Sequence, residues 1–246
     1  PDDGTYAIGD ELSFAINFAL PVTITGSPTL PLTIGSNTVT ASLNGLVAND
    51  TKATFNYKVE EGDLDTDGIV LGTSIDLNGG TILDGFGENA ILTLNNIAST
   101  ASVKVDGVRA IPTLSSSVGN LTNSTFSVTV TYDEPVSGLT ADDLEITNGT
   151  ADNVTVVTTG LVWSAAITPM ADGATTVSVK SGAVADNAGN TSVASNSSIS
   201  TTFDGTAPIV TSIIRTEADQ IPTGTTNRSF TVIFSEDVTG VDVTDF

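Results

Sequence analysis

The strongest constraint on the fold of this 246-residue chain is a group of short motifs that returns about every 100 residues. Residues 18–22 (FALPV) align with residues 132–136 (YDEPV) and with residues 234–238 (FSEDV). A turn-like segment, LDGFGE at residues 83–88, likewise returns as ADNAGN at residues 185–190. A fixed period of this length indicates that one structural unit is repeated along the chain.

The pattern inside each repeat is that of a β-protein. Residues 12–18 and residues 126–132 place an apolar side chain at every second position, which is the period of a half-buried strand. About seven short strands separated by turn residues are predicted between residues 112 and 203, a spacing typical of a β-sandwich. The sequence therefore predicts an all-β fold, with one short helical turn at residues 140–143.

Several strand limits in the first repeat follow from local signals. Pro21 is expected to end the strand that begins near residue 12, since proline lacks a backbone N–H. Residues 29–34 and 38–43 are expected to pair across a turn. Strands near residues 69–77 and 91–105 are expected to flank the turn at Asp84.

The repeats divide the chain into predicted domains at residues 1–108, 109–205 and 206–246. The first is expected to lack its opening strand, and the third to comprise only its N-terminal part. The linkers between them each combine an Asp, a Gly and a Pro, which indicates short, stiffened connections. With Pro at position 1 and a strand pattern still running at its last residue, the chain is expected to be a piece of a longer protein.

The composition limits which partners, catalytic groups and metal ligands the chain can have. Lys and Arg number 7 against 29 Asp and Glu, giving a net charge of −22, so the chain is expected to repel nucleic acid and to attract cations. There is no Cys and no His, which excludes Ser-His-Asp and Cys-His catalysis and leaves only oxygen ligands for a metal. Oxygen ligands suit calcium. No apolar run is long enough to insert into a membrane.

Nine acidic residues are candidate calcium ligands: Asp63, Asp65, Asp67, Asp84, Asp106, Glu134, Asp186, Asp204 and Glu236. In a seven-stranded sandwich, the loop after the second strand and the loop before the last strand lie at the same end. Glu134, Asp186 and the linker residue Asp106 are therefore expected to meet at the first junction, with Asp84 occupying the position of Asp186 in the first repeat. Asp204 and Glu236 are expected to meet at the next junction.

The acidic segment at residues 63–67 is expected at the opposite end of the first domain, facing the first junction. Its spacing resembles the start of an EF-hand loop, but the twelfth position is Ser74 rather than Glu, and no helices are predicted beside it. It is therefore not an EF-hand, although a calcium-binding β-loop and a solvated acidic turn both stay open.

These motifs resemble bacterial immunoglobulin-like repeats of giant secreted adhesins. The resemblance rests on FSEDVTG at residues 234–240, ADNAGN at 185–190 and DGTAP at 204–208, while GDLDTDGI at 62–69 is similar to a sister type. The resemblance implies tandem immunoglobulin-like β-sandwiches in an elongated array, with bound calcium, a cell-surface location outside the cell, and no catalysis. The expected partners are neighbouring domains of the same chain, and contact with glycans or other cells is expected through domains outside this segment.

Three functions remain open from the sequence. The first is a calcium-stiffened stalk that holds an adhesive tip away from the cell. The second is a structural subunit of a surface layer, sheath or extracellular filament, in which lateral faces make the contacts. The third, an accessory module of a secreted polysaccharide-degrading enzyme, is the weakest of the three. Glycoside hydrolysis by paired carboxylates of the chain itself is disfavoured because aromatic residues, which line sugar-binding clefts, form only 5% of the chain.

Overall fold

The computed structural model describes residues 1–215 and 229–245. Regular structure within these residues is almost entirely β-strand, which confirms the all-β class. The first unit, as we name the strands that precede the first linker, consists of β1 (Gly4–Ala7), β2 (Glu11–Thr25), β3 (Thr29–Ile34), β4 (Asn37–Leu43), β5 (Asp50–Lys58), β6 (Leu64–Asp65), β7 (Val70–Leu71), β8 (Thr81–Asp84) and β9 (Val103–Asp106).

The second unit follows the linker, and its one helical element is a 3-10 turn at Ala141–Asp143, as the sequence predicted. Its strands are β10 (Pro112–Ser116), β11 (Leu121–Thr122), β12 (Phe126–Tyr132), β13 (Val136–Ser137), β14 (Leu144–Thr147), β15 (Gly149–Thr158), β16 (Val162–Pro169), β17 (Gly173–Val179), β18 (Ala185–Asp186) and β19 (Ile199–Phe203). One sheet has the order β10-β12-β16-β15 and the facing sheet the order β11-β19-β17-β14.

The two units share a pairing scheme. In the first unit the main sheet has the order β7-β3-β4-β5-β2-β8, and a smaller sheet joins β1, β9 and β6. Val22 on β2 pairs with Asp84 on β8, just as Val136 on β13 pairs with Asp186 on β18. The strands β1 and β11 each run parallel to the last strand of their unit. The hairpin of β3 and β4 confirms the pairing that was predicted for it.

The predicted limits of three strands are wrong. The strand β2 does not end at Pro21 but continues to Thr25, because Pro21 lies in an irregular stretch between the pairs Asn17–Lys52 and Val22–Asp50. No ladder hydrogen bond from Pro21 is needed there. The strands predicted at residues 69–77 and 91–105 shrink to β7 and β9, since much of each segment pairs only through isolated bridges such as Ser74–Thr93.

Each unit has its own hydrophobic core. The first lies between Leu12 and Val105 along the chain and includes the fully buried Phe55. The second lies between Ala110 and Val184 and contains Trp163, which was predicted to be a core residue and is 5% exposed. Separate cores for the two units leave the linker region to control how one unit sits against the other.

The segment after the second unit is described only in part. Residues 216–228 and 246 of the predicted third domain lie outside the described residues. The described remainder contains β20 (Val210–Arg215) paired antiparallel with β21 (Phe230–Phe234).

Candidate metal centre

Three carboxylates meet where the first linker reaches the second unit. Asp106 is the last residue of β9, Glu134 lies between β12 and β13, and Asp186 ends β18. One carboxylate oxygen from each lies within 4.8 Å of the corresponding oxygens of the other two. Among the described residues this is the single group of three or more acidic side chains with such spacing. We name it the junction triad.

The loop that carries Asp186 is held by Asp186 itself. One oxygen, Oδ1, accepts the N–H groups of Ala188 at 2.8 Å, Gly189 at 2.7 Å and Asn190 at 2.9 Å. Gly189 has a φ of +105°, a conformation that glycine adopts readily and other residues do not. Oδ1 therefore holds three N–H donors, whereas Oδ2 accepts a single hydrogen bond, from Asn190, and keeps capacity for another partner.

Glu134 is the member of the triad with unfavourable surroundings. Its carboxylate has no hydrogen bond from any residue that the structure describes. Burial, followed by the charges of Asp106, Asp186 and Asp133, raises the pKa of Glu134 from 4.5 to about 7. Neighbouring carboxylates about 5 Å apart repel each other by roughly 1 kcal/mol per pair even in water. A cation among the three would convert this repulsion into attraction.

This electrostatic strain gives a pH-dependent prediction for the metal-free protein. Because the folded-state pKa of Glu134 is raised, its contribution to stability is fully present below about pH 4.5 and is lost as the pH rises through about 7. We expect Glu134→Gln to remove this pH dependence. In EGTA, the free energy of unfolding of the variant should therefore rise relative to that of the parent between pH 5 and pH 8. Urea unfolding followed by Trp163 fluorescence measures this difference in the free energy of unfolding. The same dependence on pH in both proteins would contradict the prediction.

Asn190 connects the junction triad to the first unit. It is 4% exposed, and its Nδ2 donates to the carbonyl of Asp106 at 2.7 Å and to Oδ2 of Asp186 at 2.8 Å. Its Oδ1 accepts the N–H of Ile8, in the loop between β1 and β2, at 2.8 Å. One amide side chain therefore joins the second unit, the linker and the first unit.

The loop after β5 makes further contacts with the first linker. Gly62 donates its N–H to the carbonyl of Gly107 at 2.8 Å, and Gly107 donates to the carbonyl of Asp63 at 2.6 Å. A Cβ on Gly107 would lie 2.4 Å from the carbonyl oxygen of Glu60, so this approach requires glycine. Arg109 lies 3.6 Å from Glu61 and donates to the carbonyl of Thr191 at 2.9 Å.

The acidic segment at residues 63–67 uses its carboxylates for other contacts. Asp63 Oδ2 accepts the hydroxyl of Tyr57 at 2.6 Å, and Asp65 accepts the N–H groups of Gly35 and Gly68, both at 2.7 Å. Asp67 is exposed, and in the described part of the chain these three carboxylates do not form a group with metal-ligand spacing. This geometry favours a hydrogen-bonded turn over the calcium-binding β-loop.

Asp84 and Asp186 hold similar loops but have different neighbours. Asp84 Oδ1 accepts the N–H groups of Phe86 at 2.8 Å and Glu88 at 3.0 Å. Leu20 stands at the position that Glu134 occupies in the second unit, so the second carboxylate of a triad is missing there. Asp84 is accordingly not part of a three-carboxylate group among the described residues.

Asp204 and Glu236 are neighbours at the second linker. Burial, together with the charge of Asp204, raises the pKa of Glu236. Asp172, in the loop between β16 and β17, accepts the N–H of Gly205 at 2.6 Å and also contacts the hydroxyl of Thr206. The second linker is thus held by the same type of loop that holds the first, because β16 corresponds to β5 in the pairing order.

The sequence did not single out Asn190 or Asp172 as junction residues. Asn190 is the last residue of the ADNAGN motif, and its position next to a predicted junction was the available signal. Asp172 lies in an Ala-Asp-Gly turn that looks like any exposed loop. Its role depends on the loop's distance from the second linker, which sequence periodicity does not encode.

Comparison with known proteins identifies the second unit. Residues 108–203 match the family model of the bacterial Ig-like domain. This segment is similar to the bacterial Ig-like domain over the whole of the second unit. Domains of this family are typically found in extracellular or cell-surface proteins and are generally non-catalytic. The search of curated proteins found no match.

One solved structure with a match is the extracellular portion of mouse CD200RLa. It shares 9% sequence identity with this chain, covers 82% of this chain and 98% of its own length, and has a TM-score of 0.25. Among the described residues, no helix has the length and apolar character needed to span a membrane.

Proposed function

We propose that this chain is a non-catalytic stalk segment of a large, repetitive bacterial cell-surface adhesin, and that calcium at the junction triad stiffens it. The observation that carries the proposal is the meeting of Asp106, Glu134 and Asp186 where the linker enters the bacterial Ig-like domain. A metal bound there holds the linker and the domain at the same time. The role is mechanical, since stiffness lets a chain of small domains carry a binding tip away from the cell.

The donor set fits calcium. All three candidate ligands are carboxylates, and calcium accepts six to eight oxygen ligands in flexible geometry. Glu134 is free to turn toward a metal because none of the described residues donates a hydrogen bond to its carboxylate. Asp186 is fixed by the hydrogen bonds of its own loop, so it contributes a preformed ligand. Asp106 belongs to the linker, so binding also restricts the path between the two units.

Calcium titration by calorimetry tests the site directly. We expect the parent to bind calcium with a dissociation constant of roughly 0.1–1 mM, as extracellular modules do. Glu134→Gln should weaken binding at least about tenfold, since it removes a charged ligand. Glu145→Gln is the matched control, because Glu145 is an exposed residue of the same unit outside the triad. Equal binding by both variants would contradict the assignment.

Asn190 is expected to couple the metal site to the first unit through its hydrogen bond with the Ile8 N–H. In Asn190→Ala the three carboxylates remain, so calcium binding should persist, whereas the acceptor for the Ile8 N–H is lost. Hydrogen exchange at the Ile8 amide should accelerate by roughly tenfold, as expected for a lost hydrogen bond of about 1.4 kcal/mol. Asn187→Ala, an exposed change in the same loop, is the control. Unchanged exchange at Ile8 in Asn190→Ala would contradict the coupling.

The proposed stalk role also predicts the shape of the protein. If the units form an elongated array, electron micrographs of calcium-loaded protein should show single thin rods. A lattice or a regular fibre would instead favour a building block of a surface layer, sheath or filament.

A further inference from the structure

Three Asn-Gly pairs occur in the chain, at residues 44–45, 78–79 and 148–149. Asn is one of the thermolabile residue types. Its side-chain amide is lost when the backbone nitrogen of the next residue attacks Cγ, and Gly at that next position leaves the approach open because it has no Cβ. The three pairs are equivalent in sequence, but the fold holds them differently.

The pair at residues 78–79 lies in a tight turn. Asn78 has a φ of +46°, and Gly80 closes the turn by donating its N–H to the carbonyl of Leu77 at 2.7 Å. The Nδ2 of Asn78 donates to the carbonyl of Ser27 at 3.3 Å. An attack on Cγ of Asn78 would therefore have to disrupt the turn and release the side chain first.

The pair at residues 148–149 is held more firmly. The Nδ2 of Asn148 donates to the carbonyl of Ala171 at 2.7 Å. The carbonyl of Asn148 accepts the N–H of Met170 at 3.2 Å and the hydroxyl of Thr175 at 3.1 Å. Gly149 begins β15, so its backbone belongs to a sheet. Both partners of the reaction are fixed at this pair.

The pair at residues 44–45 is open by comparison. Asn44, Gly45 and Leu46 are all exposed and lie in the connection between β4 and β5. A Cβ placed on Gly45 would meet no atom within 4 Å. Within the part of the chain that the structure describes, neither the side-chain amide of Asn44 nor the N–H of Gly45 makes a hydrogen bond.

The two ends of this connection are anchored separately. Asn44 donates its own N–H to the carbonyl of Thr54 at 2.8 Å, which extends the pairing of β4 with β5. Val47 is 6% exposed, and its carbonyl accepts the N–H of Ile24 at 2.9 Å. The backbone between these anchors can therefore rearrange while the sheet and the core of the first unit stay intact.

We propose that Asn44 is a site of spontaneous deamidation in the folded protein. The Gly45 nitrogen gives its proton to a solvent base and forms a bond with Cγ of Asn44, while the bond from Cγ to Nδ2 breaks and the amide nitrogen takes a proton from solvent and leaves as ammonia. Water then opens the resulting succinimide ring at either of its two carbonyl carbons, which gives aspartate or isoaspartate. The overall change consumes one water and releases one ammonia, so it needs no oxidant and no enzyme.

The modification changes the charge of one end of the first unit. Each event adds a carboxylate to a chain whose net charge is already −22. The connection between β4 and β5 lies at the opposite end of β5 from the loop that contacts the first linker. The modified chain is therefore expected to keep its junction contacts. This inference is independent of the junction triad and of the proposed stalk function.

Ageing of the full chain at pH 8, followed by tryptic digestion and mass spectrometry, tests the proposal. Trypsin cleaves after Lys and Arg, which places the three pairs on separate peptides, residues 1–52, 59–104 and 110–180. We expect the first peptide to gain one mass unit at least about tenfold faster than the other two, because hydrogen bonds must break before the other pairs can react. An isoaspartyl methyltransferase with a labelled methyl donor should label the same peptide, and a sample without ageing corrects for reaction during digestion.

Two controls assign the reaction to Asn44 and to the fold. Asn44→Gln keeps an amide at this position but should abolish the fast mass gain of peptide 1–52, since Gln would have to close a larger ring. In urea, where the fold no longer protects any pair, the three pairs of the parent should react at similar rates. Equal rates at the three pairs in the folded protein would overturn the proposal. A fast mass gain of peptide 1–52 that persisted in Asn44→Gln would also overturn it.

Discussion

Replacing Val128 with Asp is expected to unfold the second unit and leave the first unit folded. Val128 is 0% exposed and lies on β12, opposite Ser116 on one neighbouring strand and Ala165 on the other. A carboxylate at this position would lie in the apolar core of the second unit and could not reach water without breaking the sheet. Burying such a charge costs several kcal/mol, which is comparable with the whole stability of about 5–15 kcal/mol of a typical domain.

Fluorescence of Trp163 reports this change specifically, because it is the only Trp in the chain and lies in the core of the second unit. The variant should show the emission of an exposed Trp at room temperature without denaturant. Ser127→Asp is the matched control, since Ser127 is the exposed neighbour on the same strand. If Val128→Asp melted like the parent, the inward face of β12 would be assigned incorrectly.

Calcium is expected to raise the stability of the second unit, and EGTA to abolish the gain. A ligand at a hundred times its dissociation constant stabilises the folded state by about 2.7 kcal/mol when it does not bind the unfolded chain. Asp106 and Asp186 lie on separate strands and Glu134 on a third segment, so the site exists only after folding. Urea unfolding at pH 8, with saturating calcium and then with EGTA, measures the difference.

Glu134→Gln should make the order of stability between variant and parent depend on calcium. In EGTA the variant is expected to be more stable than the parent at pH 8, because one of three mutually repelling charges is removed without loss of a hydrogen bond. In calcium the order should reverse, because the variant binds the ion weakly. Glu145→Gln, outside the triad, should follow the parent in both conditions. A variant that lost stability in both conditions would indicate a purely structural role for Glu134.

The sequence predicted the features that follow from periodicity. Alternation at residues 126–132 predicted β12, and the Asp-Gly spacing predicted the loop that Asp186 holds with three hydrogen bonds. The repeat also placed Asp106, Glu134 and Asp186 at one end of a sandwich, because loop positions are set by strand order alone. The structure brings these carboxylates together, and calcium binding by them remains a prediction.

Features that depend on long-range packing were not accessible from the sequence. Proline usually ends a strand, yet β2 continues past Pro21 because its second half pairs with a different partner, β8. Asp65 matches a calcium-loop pattern, but the hairpin turn at Gly35 approaches it and takes its carboxylate as a hydrogen-bond acceptor. Asn190 acts across 182 residues to bind the Ile8 amide, a contact that no local pattern encodes.

Small-angle scattering with calcium and then with EGTA tests the central claim most directly, which is that the ion at the junction triad sets the angle between the units. Chelation is expected to change the scattering profile toward a looser ensemble, while β-sheet circular dichroism stays the same. Both samples should contain at least about 0.15 M salt, where bare charges more than about 8 Å apart are largely screened. Identical scattering profiles under the two conditions would show that calcium does not set the angle between the units.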